Sequence, residues 1–292
     1  MGDEESDSLE QTPVPFSDSP VPHESQPSLK NALVEPSGPQ LVPAPPARVP
    51  RENPPWSLWD VVAIALVAFG SITVIGATGM LIAKRFYHVP FADLARNPKL
   101  AVPVEFFAYV ITLAFMSVIV RSRHLPFWKS VGWKWIRGPL KYPIVGVLLA
   151  FAVGLATSLL PIPKELPIEK YFADTLGTWM LAVFGVTVAP LMEELFFRGL
   201  LYPALARPLG IRWSVVITSL LFALIHSSQL ADAWAPLLLL FLVGLVLTTA
   251  RVRTGSIIPG LLIHSAYNFT LFVELFIQTD HFHNFDKLGL LH

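Results

Sequence analysis

Three clusters of polar residues sit inside otherwise apolar runs of this chain, and their types suit the hydrolysis of an amide. The first is Glu193-Glu194 with Arg198, in VAPLMEELFFRGLLYP. Adjacent residues on a helix point about 100° apart, so the two carboxylates cannot do the same job. Glu194 and Arg198 are one turn apart on a shared face and can neutralise each other in a low dielectric. That leaves Glu193 as a proton acceptor or a metal ligand. The second cluster is His226, one turn after Phe222, in SLLFALIHSSQL. The third is His264 with Asn268, one turn apart and stacked on one face, in GLLIHSAYNFTLF.

Each cluster also has a plain reading. The glutamates and arginine can be interhelical glue, His226 a hydrogen-bonded packing residue, and Asn268 a bridge to another helix with His264 incidental. Taken together they supply one free carboxylate, two imidazoles and an amide. A carboxylate takes a proton from water. Imidazoles position that water, bind a metal or protonate a leaving amine, and a neutral amide stabilises an oxyanion. Neither HExxH nor GxSxG occurs. Glu193, His226 and His264 would also satisfy the three protein ligands of a catalytic Zn2+ or another divalent metal. Spacing does not separate that option from a metal-free one.

These residues need membrane helices to hold them. The 292 residues are 53% hydrophobic and only 14% charged, against about 25% charged in soluble domains. The apolar residues fall in blocks of the length needed to cross a hydrocarbon core of about 30 Å. Intramembrane ionisable groups are costly, and they usually face the protein interior at functional positions. The chain is therefore expected to be all-α, a polytopic α-helical membrane protein. Formal net charge is zero and there is no cysteine. The first gives no argument for nucleic acid as a partner. The second excludes disulfides, thiolate metal sites and cysteine nucleophiles. Residues 1–10 are polar and acidic, not a secretory signal.

Three regions are expected. Residues 1–55 are rich in Pro, Ser, Glu and Gln and read as a disordered tail. Residues 56–277 form the membrane-embedded helical domain, with the catalytic core over 178–275. Residues 278–292 form a short polar tail. Seven membrane helices are expected, at Leu58–Ala83, Val102–Val120, Tyr142–Leu160, Thr178–Leu205, Ser214–Ser228, Pro236–Ala250 and Ile257–Ile277. A break in the first, near Gly70 and Gly76, would make eight. Lys and Arg in the loops 121–141, 207–212 and 251–253 fall on one side, which places the N-terminus in the cytoplasm. Lys84, Arg85, Arg96 and Lys99 are discordant. Trp56, Trp59, Trp128, Trp133 and Trp135 are placed at membrane interfaces, and the basic, Trp-rich loop 121–141 either lies against anionic lipid or sets topology. Counted from the cytoplasmic ends, His226 lies about 21 Å deep and His264 about 10 Å, so the clusters agree in depth only loosely.

EExxxR, FxxxH and HxxxN, in that order on late membrane helices, resemble the CPBP family. This group contains the type II CAAX prenyl endopeptidases and bacteriocin-processing or immunity-associated proteins, also called the Abi family. The matching residues are Glu193, Glu194, Arg198, Phe222, His226, His264 and Asn268. The resemblance implies an integral membrane protease acting on a membrane-associated peptide or protein, with or without a lipid anchor. It implies that Glu193 activates water, His226 positions it, and His264 with Asn268 stabilises the oxyanion, with Glu194 and Arg198 in support. A bacterial inner membrane is the expected location. Two other functions compete: a non-enzymatic immunity or scaffold protein, and a small-solute transporter. The helices before Ala173 do not mirror the later ones, as a transporter's repeats would.

Overall fold

The computed structural model describes residues 53–86, 90–163, 166–172 and 174–285, all within the unit Pro50–His292. Most of the expected N-terminal tail, and 286–292 of the C-terminal one, lie outside the described residues.

Every regular element among the described residues is helical. The α-helices are α1 (Leu58–Phe86), α2 (Phe91–Ala95), α3 (Pro98–Arg121), α4 (Phe127–Ser130) and α5 (Lys141–Thr157). They are followed by α6 (Thr175–Val186), α7 (Val188–Glu193), α8 (Tyr202–Leu224), α9 (Trp234–Thr254) and α10 (Ile258–Gln278). A π-helix, Glu194–Leu201, joins α7 to α8. Starts follow local chemistry. The Asn97 side chain accepts from the Lys99 N–H at 3.0 Å to open α3, and Asp174 accepts from the Gly177 N–H at 3.0 Å to open α6. In the bundle α1 packs along α3, α5 along α10, and α8 along α9.

The polarity of the bundle is that of a membrane protein. Leu66, Phe69, Phe107, Leu148, Phe151 and Leu155 point outward, while Glu194, Arg198, Ser219, Thr248, Arg251 and His264 are buried. A lipid-facing surface tolerates the first set, and the second set needs a protein interior. The chain is an integral membrane protein.

Five helices, not the expected seven or eight, are long and apolar enough to cross a membrane among the described residues. The difference has three sources. α1 runs unbroken through Gly70 and Gly76. α5 is apolar but only 17 residues long. The expected fourth and fifth helices are one continuous stretch, Thr175–Leu224. Its direction changes at Gly210, whose φ of 75° and ψ of 171° interrupt the helix without a Cβ to clash. Pro190, which has no N–H to give the preceding turn, explains the break between α6 and α7 at Thr187.

The loops of one end meet. Arg123 pairs with Asp60 at 3.0 Å and donates to the Pro55 carbonyl at 3.3 Å. The Ile257 N–H donates to the Gly132 carbonyl at 3.0 Å and the Ser256 hydroxyl to the Lys134 carbonyl at 2.6 Å. Chain entry, the basic Trp-rich loop and the α9–α10 turn therefore share a side. At α6 the Lys99 ammonium meets Asp174 at 3.0 Å. The segment after α10 folds back: Phe282 is buried against Trp179 and Phe276, and its carbonyl accepts from the Thr175 hydroxyl at 2.6 Å.

Candidate active site

Glu193 ends α7 and Glu194 opens the π-helix. The two side chains diverge as expected. Glu194 is fully buried, its Oε1 accepting from Arg198 Nη1 at 2.9 Å. Arg198 is equally buried and spends its other donors on α9: Nη2 on the Gly244 carbonyl and Nε on the Thr248 hydroxyl, each at 3.3 Å. Its guanidinium also stacks over Phe222, 4.4 Å from the ring centroid. Glu194 and Arg198 are thus the joint between the π-helix and α9.

Glu193 is left to the two imidazoles. Its Oε1 lies 4.0 Å from His226 Nε2, and its Oε2 lies 3.7 Å from His264 Nε2. His264 also reaches the other carboxylate, with Nδ1 3.4 Å from Glu194 Oε1. Glu193 Oε2, Glu194 Oε2 and His264 Nδ1 are buried and have no hydrogen-bond partner within the protein. Polar groups so placed are costly unless something else is satisfied by them.

His226 is not inside a helix, as the span Ser214–Ser228 anticipated. α8 ends at Leu224, and His226 sits in the turn beyond it. Its Nδ1 lies 2.8 Å from the Phe222 carbonyl, one of the orphan acceptors of a helix end. A carbonyl only accepts, so the proton belongs on Nδ1 and Nε2 keeps its lone pair toward Glu193. Phe222 packs against both rings, with centroids 5.2 Å from His226 and 5.6 Å from His264. The FxxxH spacing thus gives the imidazole both its anchor and its packing partner.

Asn268 is anchored to an element other than those that carry Glu193 and His226. Its Nδ2 donates to the Gly185 carbonyl at 2.7 Å, tying α10 to α6. Among the described residues no group of three or more His, Cys, Asp or Glu side chains could hold a metal ion. Ligands of a tetrahedral ion lie about 3.3 Å apart, closer than the 3.7 and 4.0 Å that separate Glu193 from the two rings.

Several neighbours were not singled out by their spacing. Glu105 and Tyr109, one turn apart on α3, both lie in the electrostatic field of Glu193. A Cβ on Gly260 would collide with Glu194 Oε2, so only glycine lets α10 come this close to the carboxylate. Trp56, expected at the interface, is 2% exposed and donates its indole N–H to the Leu200 carbonyl at 3.0 Å. Arg251, counted as a loop charge, is buried in α9 and donates from Nε to the Arg198 carbonyl at 3.2 Å. The one available signal was that Gly260 lies one turn before His264 in the same motif-bearing helix.

No solved structure matches the chain. It is 35% identical over 138 residues to an uncharacterized 24.3 kDa protein of Escherichia coli. That alignment covers 47% of this chain and spans 61% of the relative's length. The segment that carries Glu193, His226, His264 and Asn268, residues 175–270, matches the family described as type II CAAX prenyl endopeptidase Rce1-like.

Proposed function

We propose that the chain is an intramembrane endopeptidase that hydrolyses a peptide bond in a membrane-associated peptide or protein. The observation that carries this reading is a carboxylate facing two imidazoles inside an apolar bundle, at 4.0 and 3.7 Å. Two hydrogen bonds to one water span about 4–4.5 Å, so Glu193 and His226 can share a water that neither could replace. The His226 tautomer fixed by the Phe222 carbonyl leaves Nε2 to accept from that water.

In this mechanism Glu193 takes a proton from the water as its oxygen attacks the scissile carbonyl carbon. The carbonyl oxygen becomes an oxyanion, stabilised by His264 and Asn268. One amide hydrogen of Asn268 is held by the Gly185 carbonyl, which fixes the side chain. The second is the donor this role requires. Collapse of the intermediate breaks the C–N bond, and the proton held by Glu193 passes to the leaving amine. Glu194 and Arg198 hold the helices and keep Glu193 free of a salt bridge to arginine.

The substrate is read as a peptide with a CAAX-like or other lipidated end, in line with the family matched by residues 175–270. The location is read as a bacterial cell membrane with a cytoplasmic N-terminus. The shared end of the basic loop and the α9–α10 turn supports that sidedness. α5 and the two arms either side of Gly210 are read as further crossings.

The test is cleavage of prenylated and unprenylated fluorogenic peptides by purified protein in proteoliposomes. Wild type is expected to cleave and a folded Glu193→Gln protein is not. Equal cleavage by both refutes the mechanism, and a chelator arm reads any metal dependence.

A further inference from the structure

The carboxylate that opens the site sits at the edge of an unusual backbone. Residues Glu194–Leu201 wind as a π-helix, with Glu193 the last α-helical residue before it. A π turn holds one more residue than an α turn and is easily lost, because its hydrogen bonds are less well arranged. Relaxation to α geometry would rotate the segment before the turn against the segment after it by about 100° per residue. Glu193 would then swing relative to Arg198, and hence to α9, to which Arg198 is tied. His226 and His264 are carried by other elements and would not follow.

Two carbonyls of this π-helix receive donors from outside it. The Leu200 carbonyl takes the Trp56 indole N–H at 3.0 Å, and the Arg198 carbonyl takes Arg251 Nε at 3.2 Å. Both donors are buried, Trp56 at 2% exposure and Arg251 at 4%. They arrive from opposite parts of the chain, 144 residues before and 53 residues after their acceptors. Trp56 is held by the chain entry to α1, and Arg251 by the last turns of α9, with its guanidinium over the Tyr202 ring.

We propose that Trp56 and Arg251 are positioning residues, two external donors that hold the π-helix in register and so set the angle at which Glu193 faces the imidazoles. This rests on the peptidase reading above for its kinetic consequence, but not for its structural one. A register defined by side-chain donors makes the angle of Glu193 depend on the chain entry at Trp56. Ordinary helix propensity would not supply this dependence.

The experiment replaces the donors and keeps the bulk. Trp56 is replaced by benzothienylalanine, in which sulfur stands for the indole N–H, and by Trp56→Phe. Arg251 is changed to Lys and to Met. Hydrogen exchange of the peptides covering 194–205 and steady-state cleavage are measured on the full chain in nanodiscs. Exchange over 194–205 is expected to rise at least tenfold in the benzothienyl and Arg251→Met proteins. At the same time kcat should fall at least tenfold with KM within twofold, and Arg251→Lys should recover part of both. Packing loss alone would lower thermal stability without that split. Unchanged exchange in the benzothienyl and Arg251→Met proteins overturns the proposal whatever the activity. So does raised exchange with wild-type kcat. If the unmodified protein shows no Glu193-dependent cleavage, the peptidase reading fails, and exchange alone decides the donors.

Discussion

Replacing Arg198 by methionine keeps the length of the side chain and removes its charge. Its partner Glu194 would then be fully buried with no cation, since both side chains are 0% exposed and Arg198 Nη1 is the donor to Glu194 Oε1 at 2.9 Å. Breaking a buried pair by removing one partner costs about 3–5 kcal/mol, mostly through the stranded charge. For a domain of this size each kcal/mol lowers the melting temperature by about 2–4 °C, so the shift is about 6–20 °C. The double variant Arg198→Met, Glu194→Gln strands no charge and loses only the hydrogen bonds to the Gly244 carbonyl and Thr248, about 1–3 kcal/mol. Glu194→Gln alone leaves the buried guanidinium without its anion and costs about 3–5 kcal/mol as well, so the single losses sum to about 6–10 kcal/mol and the two substitutions should couple by at least about 3 kcal/mol in a double-mutant cycle. Thermal unfolding of all four proteins in one detergent measures it. A double variant that melts as low as the sum of the single losses would refute the assignment of Glu194 and Arg198 as a charge-neutral joint.

Gly260→Ala places a methyl group against Glu194 Oε2 and should cost about 1–3 kcal/mol of stability together with activity. Wild-type melting and turnover would show that α10 can move aside. Asn268→Leu removes the donor to the Gly185 carbonyl. It should cost about 1–3 kcal/mol and lower kcat at unchanged KM, whereas a loss of stability alone would confine Asn268 to tying α10 to α6. At Asp174 burial opposes ionisation, but the Gly177 N–H and the Lys99 ammonium outweigh it and hold the carboxyl below its ordinary range. Its contribution is therefore complete above the unfolded value of about 3.9 and disappears as pH falls through the lower folded value. The melting difference between wild type and Asp174→Asn should be present at pH 6 and shrink below pH of about 4. A constant difference would place the effect in capping geometry alone.

The clusters were legible because intramembrane polar groups are rare, and His226 and His264 each bring a ring nitrogen within about 4 Å of the Glu193 carboxylate. The one-turn separation of Glu194 and Arg198 became an ion pair, and Phe222 became the carbonyl anchor and ring partner of His226. Depth along straight helices was a poor guide, since His226 stands beyond the end of α8 and the chain turns at Gly210. The helix count came out too high because α5 is only 17 residues long and the expected fourth and fifth helices run on as one helical stretch across Gly210. The π-helix left no pattern of its own, as ELFFRGLL has ordinary α-helix composition. Trp56 and Arg251 were read as membrane anchor and topology charge, the usual roles of those types at helix ends. Only tertiary packing turns them inward onto the Leu200 and Arg198 carbonyls.

The most direct test of the central claim compares wild type, Glu193→Gln and Glu194→Gln in proteoliposomes with one cleavable lipidated peptide. Glu193→Gln should fold like wild type and lose turnover by at least about a thousandfold, the scale of losing a positioned general base. Glu194→Gln should instead show its main loss in thermal stability. Turnover retained by Glu193→Gln, or lost to the same degree in a stably folded Glu194→Gln, would contradict the assignment of Glu193 as the water-activating base.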